Sequence, residues 1–300
     1  MIRIHFSNDA ELRFGKYKLD RYLPKRFFQH RIAPLFNSRL FVENQPPRWI
    51  ICVNNYCNLR CFSCSNLCDR PFDPRNVYRD RPRKTSLEDF ERFLVLTQDW
   101  HPEWPLRYKG GEPTMDPDHL NKMLSLAKEY GRYNDLLTNG FQFLKIDPFL
   151  CDKIMLDDHG PLNRQLIDKC AEYLEEVKHP NWWRKITDLH YDLDGAREVV
   201  WNEFSEGPRL CKNFMVSITL WEKTLYPCCV LNALEGFDNN PRIGESLREA
   251  GWTVDNDDLV KVLEGFRKTL PGEALRTCLF RCWRGGYGKT SRKLVEEVRL

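Results

Sequence analysis

The sequence predicts an α/β fold built on a parallel sheet. Two observations carry that expectation. From residue 48 onward, short strand-type runs alternate with helix-type runs, and two of the strand runs stop at Gly110-Gly111 and at Asn139-Gly140. Strands separated by helices form βαβ units, whose strands pair in parallel.

Trp49, Ile50, Ile51, Cys52 and Val53 are the first β-type run. Thr85-Ser86-Leu87-Glu88 has the spacing of a capping box, and Phe90, Phe93, Leu94 and Leu96 continue it as an amphipathic helix. Leu106, Arg107, Tyr108 and Lys109 form a second strand that ends at the paired glycines. Asp116 followed by Pro117 suits the cap and first turn of a helix reaching about residue 130. The third strand is expected at 135–138 and the fourth at 153–157, followed by a helix over 162–177. Residues 186–193 and 214–220 complete six strands. A count of six fits a partial (β/α)6 barrel and equally a doubly wound sheet. No internal repeat or low-complexity tract interrupts the pattern.

Three hundred residues with 42% apolar content can bury a sizeable core, and a net charge of +3 leaves no nucleic-acid footprint. No segment approaches the length of a membrane span, and the first residues lack the apolar stretch of a secretory signal. The chain is therefore expected to be cytoplasmic, with its 12 cysteines binding metal rather than forming bridges. Residues 1–47 interleave Arg13, Lys16, Lys18, Arg21, Lys25, Arg26 and Arg31 with Phe14, Tyr17, Tyr22, Phe27 and Phe28. This arm either packs its aromatic residues on the domain or grips an anionic partner.

Cys57, Cys61 and Cys64 follow the first strand with C-x3-C-x2-C spacing. Three thiolates on one tight loop can hold three irons of a 4Fe-4S cube, leaving the fourth iron open for chemistry. Zinc is the alternative, with Cys68 as a fourth ligand.

Followed by Gly110, Gly111, Glu112 and Pro113, the cysteine spacing resembles the radical S-adenosylmethionine (SAM) superfamily. The resemblance covers roughly residues 48–285. It implies that the 4Fe-4S cluster keeps an open iron chelated by SAM, whose reductive cleavage yields a 5′-deoxyadenosyl radical that abstracts hydrogen from substrate. It further implies that Phe62 packs near the adenine and that Gly110, Gly111, Glu112 and Pro113 meet the amino group of the methionine moiety. Thr138, Asn139 and Gly140 look like the family's T-N-G. Asp157 matches the aspartate of a family S-x-D-G region, but Met155 replaces the serine that often contacts ribose.

Cys211, Cys228, Cys229, Cys278 and Cys282 gather in the last third. They resemble the SPASM and twitch extensions of radical SAM enzymes, although Lys223 replaces the family glycine before Tyr226-Pro227-Cys228. One auxiliary 4Fe-4S cluster on Cys211, Cys228, Cys278 and Cys282 is implied, with Cys229 as alternative to Cys228; a structural zinc site or reduced thiols are the other readings. The expected organisation is an arm at 1–47, a radical SAM core at 48–210, a twitch-like domain at 211–290 and a tail at 291–300. The fold class is thus α/β, a partial (β/α)6 TIM-like barrel followed by a small cysteine-rich domain.

Asp157, Asp158 and His159 sit where strand ends face the active-site mouth of a barrel, and could take a proton during substrate oxidation. They could also cap the next helix. The expected substrate is a peptide or small-molecule precursor undergoing net oxidation or modification, with a reduced flavodoxin or ferredoxin as electron donor. The competing functions are an Fe-S electron carrier or scaffold and a zinc-stabilised binding module. An electron carrier would have no use for Gly110–Pro113.

Overall fold

The computed structural model describes residues 2–6, 10–14, 17–18, 47–59, 83–186, 217–228, 231–232, 235 and 242–265. It divides into two compact units, Met1–Pro46 and Pro47–Leu300. The first contains an antiparallel sheet in the order β1 (Ile2–Phe6), β2 (Ala10–Phe14), β3 (Tyr17–Lys18). Within the segment expected as an arm, Ile2, Ile4 and Phe6 alternate with Arg3 and His5, the period of a strand.

The second unit is mixed α/β around a mostly parallel seven-stranded sheet. Five strands pair in parallel in chain order: β4 (Arg48–Cys52), β5 (Leu106–Lys109), β6 (Asn134–Thr138), β7 (Lys153–Asp158) and β8 (Trp182–Ile186). Helices α1 (Leu87–Leu96), α2 (Pro117–Glu129) and α3 (Arg164–Glu176) provide three of the crossovers. The β6–β7 connection instead uses two short 3-10 turns, Phe143–Lys145 and Pro148–Leu150. The fifth strand thus starts four residues before the predicted 186–193 segment, most of which lies outside the described residues.

The predicted sixth strand is β9 (Ser217–Trp221), and its neighbour is β4 rather than β8. Ile50, Ile51 and Cys52 of β4 are all buried, so its backbone groups need partners on both edges, and β9 supplies the second ladder. A turn at Glu222-Lys223 leads to antiparallel β10 (Thr224–Tyr226), followed by α4 (Arg242–Glu249) and α5 (Leu259–Gly265). Glu222 takes a left-handed φ of 51° in this turn, and Arg83 Nε holds its carboxylate at 2.6 Å.

The helix caps show what each polar residue does. Asp116 caps α2 as expected, accepting from His119 N at 3.2 Å. The cap of α1 is Ser86, one residue later than the box spacing suggested, accepting from Asp89 N at 3.0 Å. Thr85 is engaged elsewhere: its hydroxyl donates to Cys52 O (2.7 Å) and accepts from Glu222 N (2.9 Å), joining the end of β4 to the β9–β10 turn. At the opposite end of the sheet, Trp49 packs against Phe93, Trp100 and Trp104 with ring centroids 5.0–5.5 Å apart. Burying side chains of this size contributes about 1.5–3 kcal/mol each and anchors the N-terminal end of β4. Cys52, Cys151 and Cys170 are buried in the core.

Candidate active site

Because β4 to β7 run parallel, their exits share one end of the sheet. The loop after β4 lies directly on the loop after β5: Gly111 N–H donates to Asn54 O (2.8 Å), Glu112 N–H to Tyr56 O (2.8 Å) and Asn54 Nδ2 to Glu112 O (2.8 Å). A Cβ on Gly111 would fall 1.7 Å from Tyr56 O, and one on Gly110, whose φ is +146°, would fall 2.3 Å from Asn54 O. Glycine is required at both positions by the chain's own backbone. The pair thereby sets where the cysteine-bearing loop leaves the sheet.

Glu112 turns its side chain inward and is only 2% exposed. Its Oε1 accepts from Thr114 N (3.1 Å), Thr114 Oγ1 (2.6 Å) and Thr138 Oγ1 (2.5 Å), and its Oε2 accepts from Asn139 N (2.7 Å). Burial raises the pKa of this carboxyl, against the lowering effect of those hydrogen bonds. Pro113 opens the 3-10 turn Pro113–Met115 that Glu112 caps. Of the predicted residues, Glu112, Thr138 and Asn139 therefore form one hydrogen-bonded unit across the ends of β5 and β6, with Gly110, Gly111 and Pro113 flanking Glu112 in the chain.

Asn139 connects that unit to the cysteine loop. Its Nδ2 donates to Asn58 Oδ1 (2.9 Å) and to Cys57 Sγ (3.5 Å), and its Oδ1 accepts from Phe141 N (3.1 Å). Cys57 is half-buried, and its sulfur also accepts from Leu59 N at 3.3 Å. Two N–H groups approach this sulfur, which also has Asn58 Oδ1 at 3.8 Å. N–H donors suit a thiolate ligand, and three thiols at this spacing are the donor set of an iron–sulfur cluster. Cys57 thus fits the group; Cys61, Phe62, Cys64 and Cys68 lie outside the described residues.

Asp157, Asp158 and His159 end β7 at the same end of the sheet. Asp158 is fully buried and accepts from Arg184 Nε (2.9 Å), Arg184 Nη2 (2.7 Å) and Gly160 N (2.8 Å), with Arg164 Nε at 3.4 Å. Burial opposes its ionisation, but the bonds from Arg184 and Gly160 and the charges of Arg184 and Arg164 outweigh it and hold its pKa low. Asp157 has His159 Nε2 at 3.8 Å and Lys185 Nζ at 3.6 Å. Asn163, which the sequence reading passed over, joins this group to the T-N-G loop. Its Nδ2 donates to Asn139 O (2.8 Å) and Asp157 O (2.9 Å), and its Oδ1 accepts from His159 N (2.7 Å). Its place immediately before α3 was the available signal: it stands at the helix cap but makes no side-chain cap bond.

Of the second cysteine group, Cys228 is described, a half-buried thiol just after β10. Cys211, Cys229, Cys278 and Cys282 lie outside the described residues. The neighbouring Tyr226 donates its hydroxyl to the buried carboxylate of Glu235, beside Gly244 of α4. Among the described residues, no helix is long and apolar enough to cross a membrane.

No family model matches the sequence. The chain is 28% identical over 170 residues to the pyruvate formate-lyase-activating enzyme of Streptococcus mutans, a match covering 48% of this chain and 62% of that enzyme. The chain thus spans less than two thirds of that enzyme's length. Solved structures with similarity include BtrN in complex with AdoMet and 2-DOIA, at 15% identity and a TM-score of 0.46, covering 75% of this chain and 87% of that one. Streptococcus suis SuiB bound to precursor peptide SuiA is similar at 19% identity and a TM-score of 0.36, covering 58% and 40% respectively.

Proposed function

We propose that the chain is a radical SAM enzyme that abstracts hydrogen from a peptide or small-molecule precursor in a net oxidation or modification. The observation that carries this reading is the convergence of Cys57, Glu112 and Asn139 through direct hydrogen bonds at the exits of three adjacent parallel strands. When bound, a 4Fe-4S cluster with SAM supplies a 5′-deoxyadenosyl radical. Cys57, Cys61 and Cys64 hold the cluster, and Phe62, Gly110–Pro113, Thr138 and Asn139 surround SAM. The barrel-like core extends over 48–210 and the twitch-like domain over 211–290. That domain carries an auxiliary cluster on Cys211, Cys228, Cys278 and Cys282, with Cys229 the alternative to Cys228.

Asp158 is committed to Arg184 and Arg164. The proton-accepting role is therefore assigned to Asp157 and His159, whose side chains are 15% and 11% exposed. The curated relative's name designates an enzyme acting on another enzyme, which supports a polypeptide substrate. A reduced flavodoxin or ferredoxin is the electron donor.

Anaerobic reconstitution followed by iron, sulfide and zinc analysis separates this reading from a zinc module. Incubation with SAM and dithionite should then release 5′-deoxyadenosine, and C57A should abolish that product while iron at the auxiliary site remains. An intact cluster that never yields 5′-deoxyadenosine would leave an electron carrier as the function.

A further inference from the structure

The geometry points to Asn139 as the residue that tunes the reduction potential of the cluster, through an amide N–H bond to the Cys57 thiolate. The inference rests on the reading of Cys57 as a cluster ligand, and concerns a role for Asn139 separate from contact with SAM. Each polar group of Asn139 has a partner. Its main-chain N–H donates to Glu112 Oε2 (2.7 Å) and its main-chain O accepts from Asn163 Nδ2 (2.8 Å). Its Oδ1 accepts from Phe141 N (3.1 Å). A main-chain N–H can only donate, so this last bond fixes which way the amide faces and leaves both Nδ2 protons pointing at the cysteine loop. One goes to Asn58 Oδ1 at 2.9 Å and the other to Cys57 Sγ at 3.5 Å.

The amide is therefore clamped by its own backbone, by Glu112 and by Asn163 in a position that presents a donor to sulfur. Leu59 N supplies a second donor at 3.3 Å, but a main-chain group is present whatever the side chain. The Nδ2 bond is a side-chain donor that a substitution at Asn139 removes. Donors to a ligating sulfur stabilise the reduced, more negative state of a cluster more than the oxidised state, and so raise its potential. Asn139 makes the cluster easier to reduce.

The test is a redox titration of anaerobically reconstituted protein, read by the electron paramagnetic resonance of the reduced cluster, on the wild type, N139A, N139D and N58A. N139A loses the donor and should titrate at a more negative potential. Its reduction equilibrium is expected to weaken by up to roughly tenfold, which for one electron is about 59 mV. N139D keeps an acceptor for Phe141 N but puts a carboxylate oxygen where the donor stood, and should shift further in the same direction. N58A removes the other partner of Nδ2 at an exposed position, together with the 3.8 Å approach of Asn58 Oδ1 to Cys57 Sγ; it leaves the Asn139 donor to sulfur and should not move the midpoint to a more negative potential. If N139A does not fold, N139D against N58A decides.

A folded, iron-loaded N139A or N139D with the wild-type midpoint overturns the inference while leaving the radical SAM reading standing. A wild-type protein that takes up no iron overturns both.

Discussion

Glu112 reaches from the end of β5 to accept the main-chain N–H of Asn139 beyond the end of β6, at 2.7 Å. This bond holds the loop whose amide touches Cys57, so a buried carboxylate with no cation among its described partners positions the proposed cluster site. In E112Q the Nε2 group would oppose the Asn139 N–H and leave a buried donor unmet, at a cost of about 1–3 kcal/mol. Burial raises the Glu112 pKa, so the folded state holds this proton more tightly than the unfolded chain does. The associated stability is greatest at low pH and declines as pH rises through the raised value. Urea unfolding should therefore show the E112Q deficit largest at about pH 4, below the ordinary glutamate value, and shrinking as pH rises above it.

Asp158 has the opposite sign. Its folded pKa is held low, so its contribution is present above the usual carboxylate range and is lost as pH falls through that range into acid. Breaking a buried ion pair costs about 3–5 kcal/mol, and the partial exposure of Arg184 and Arg164 places D158N at about 3 kcal/mol or less. The expected deficit is largest near neutral pH and fades below about pH 4 in the same unfolding assay. An unchanged deficit across that range would remove the linkage.

Gly111→Ala places a methyl group 1.7 Å from the carbonyl oxygen of Tyr56, a contact with backbone that no side-chain rotation relieves. The loop after β4 must move away, taking Cys57 with it. Iron content after reconstitution should fall by most of its value at the first site, and the melting temperature should drop. Retention of full iron and wild-type stability would show that the two loops are not mutually fixed.

Gly244→Ala brings a Cβ to 2.5 Å from Glu235 Oε2 and 2.8 Å from Tyr226 Oη. The buried hydroxyl–carboxylate bond would be pushed apart, costing about 1–3 kcal/mol. Thermal unfolding measures the loss. First-site iron binding should stay at the wild-type level, since Gly244 contacts β10 rather than the loops that carry Cys57 and Glu112.

Much of the parallel core was legible along the chain. Ile50-Ile51, Leu106–Lys109 and 135–138 read as strands because they are short apolar or alternating runs, the last two stopped by a glycine, and Asp116-Pro117 read as a helix start because the cap chemistry is local. Ser86 taking the cap in place of Thr85 was not legible. Both residues can cap, and the choice falls to the demand of Cys52 O and Glu222 N for the Thr85 hydroxyl, partners 33 and 137 residues away in the chain. The return of β9 to β4 was hidden for the same kind of reason, since a strand's own pattern does not name its neighbour.

Taken alone, the chain determined its chemistry and its periodicity: thiols at C-x3-C-x2-C spacing, glycines ahead of Glu112, and strand and helix repeats. These depend on residue type and short separations. Only the tertiary structure decided that Gly110 and Gly111 accommodate the Cys57 loop, that Asp158 belongs to Arg184 while Asp157 lies beside His159, and that Asn139 faces sulfur. Apart from the neighbours Asp157 and His159, each of those is a contact between residues distant in the chain, settled by parallel strand register and by the need of buried polar groups for partners.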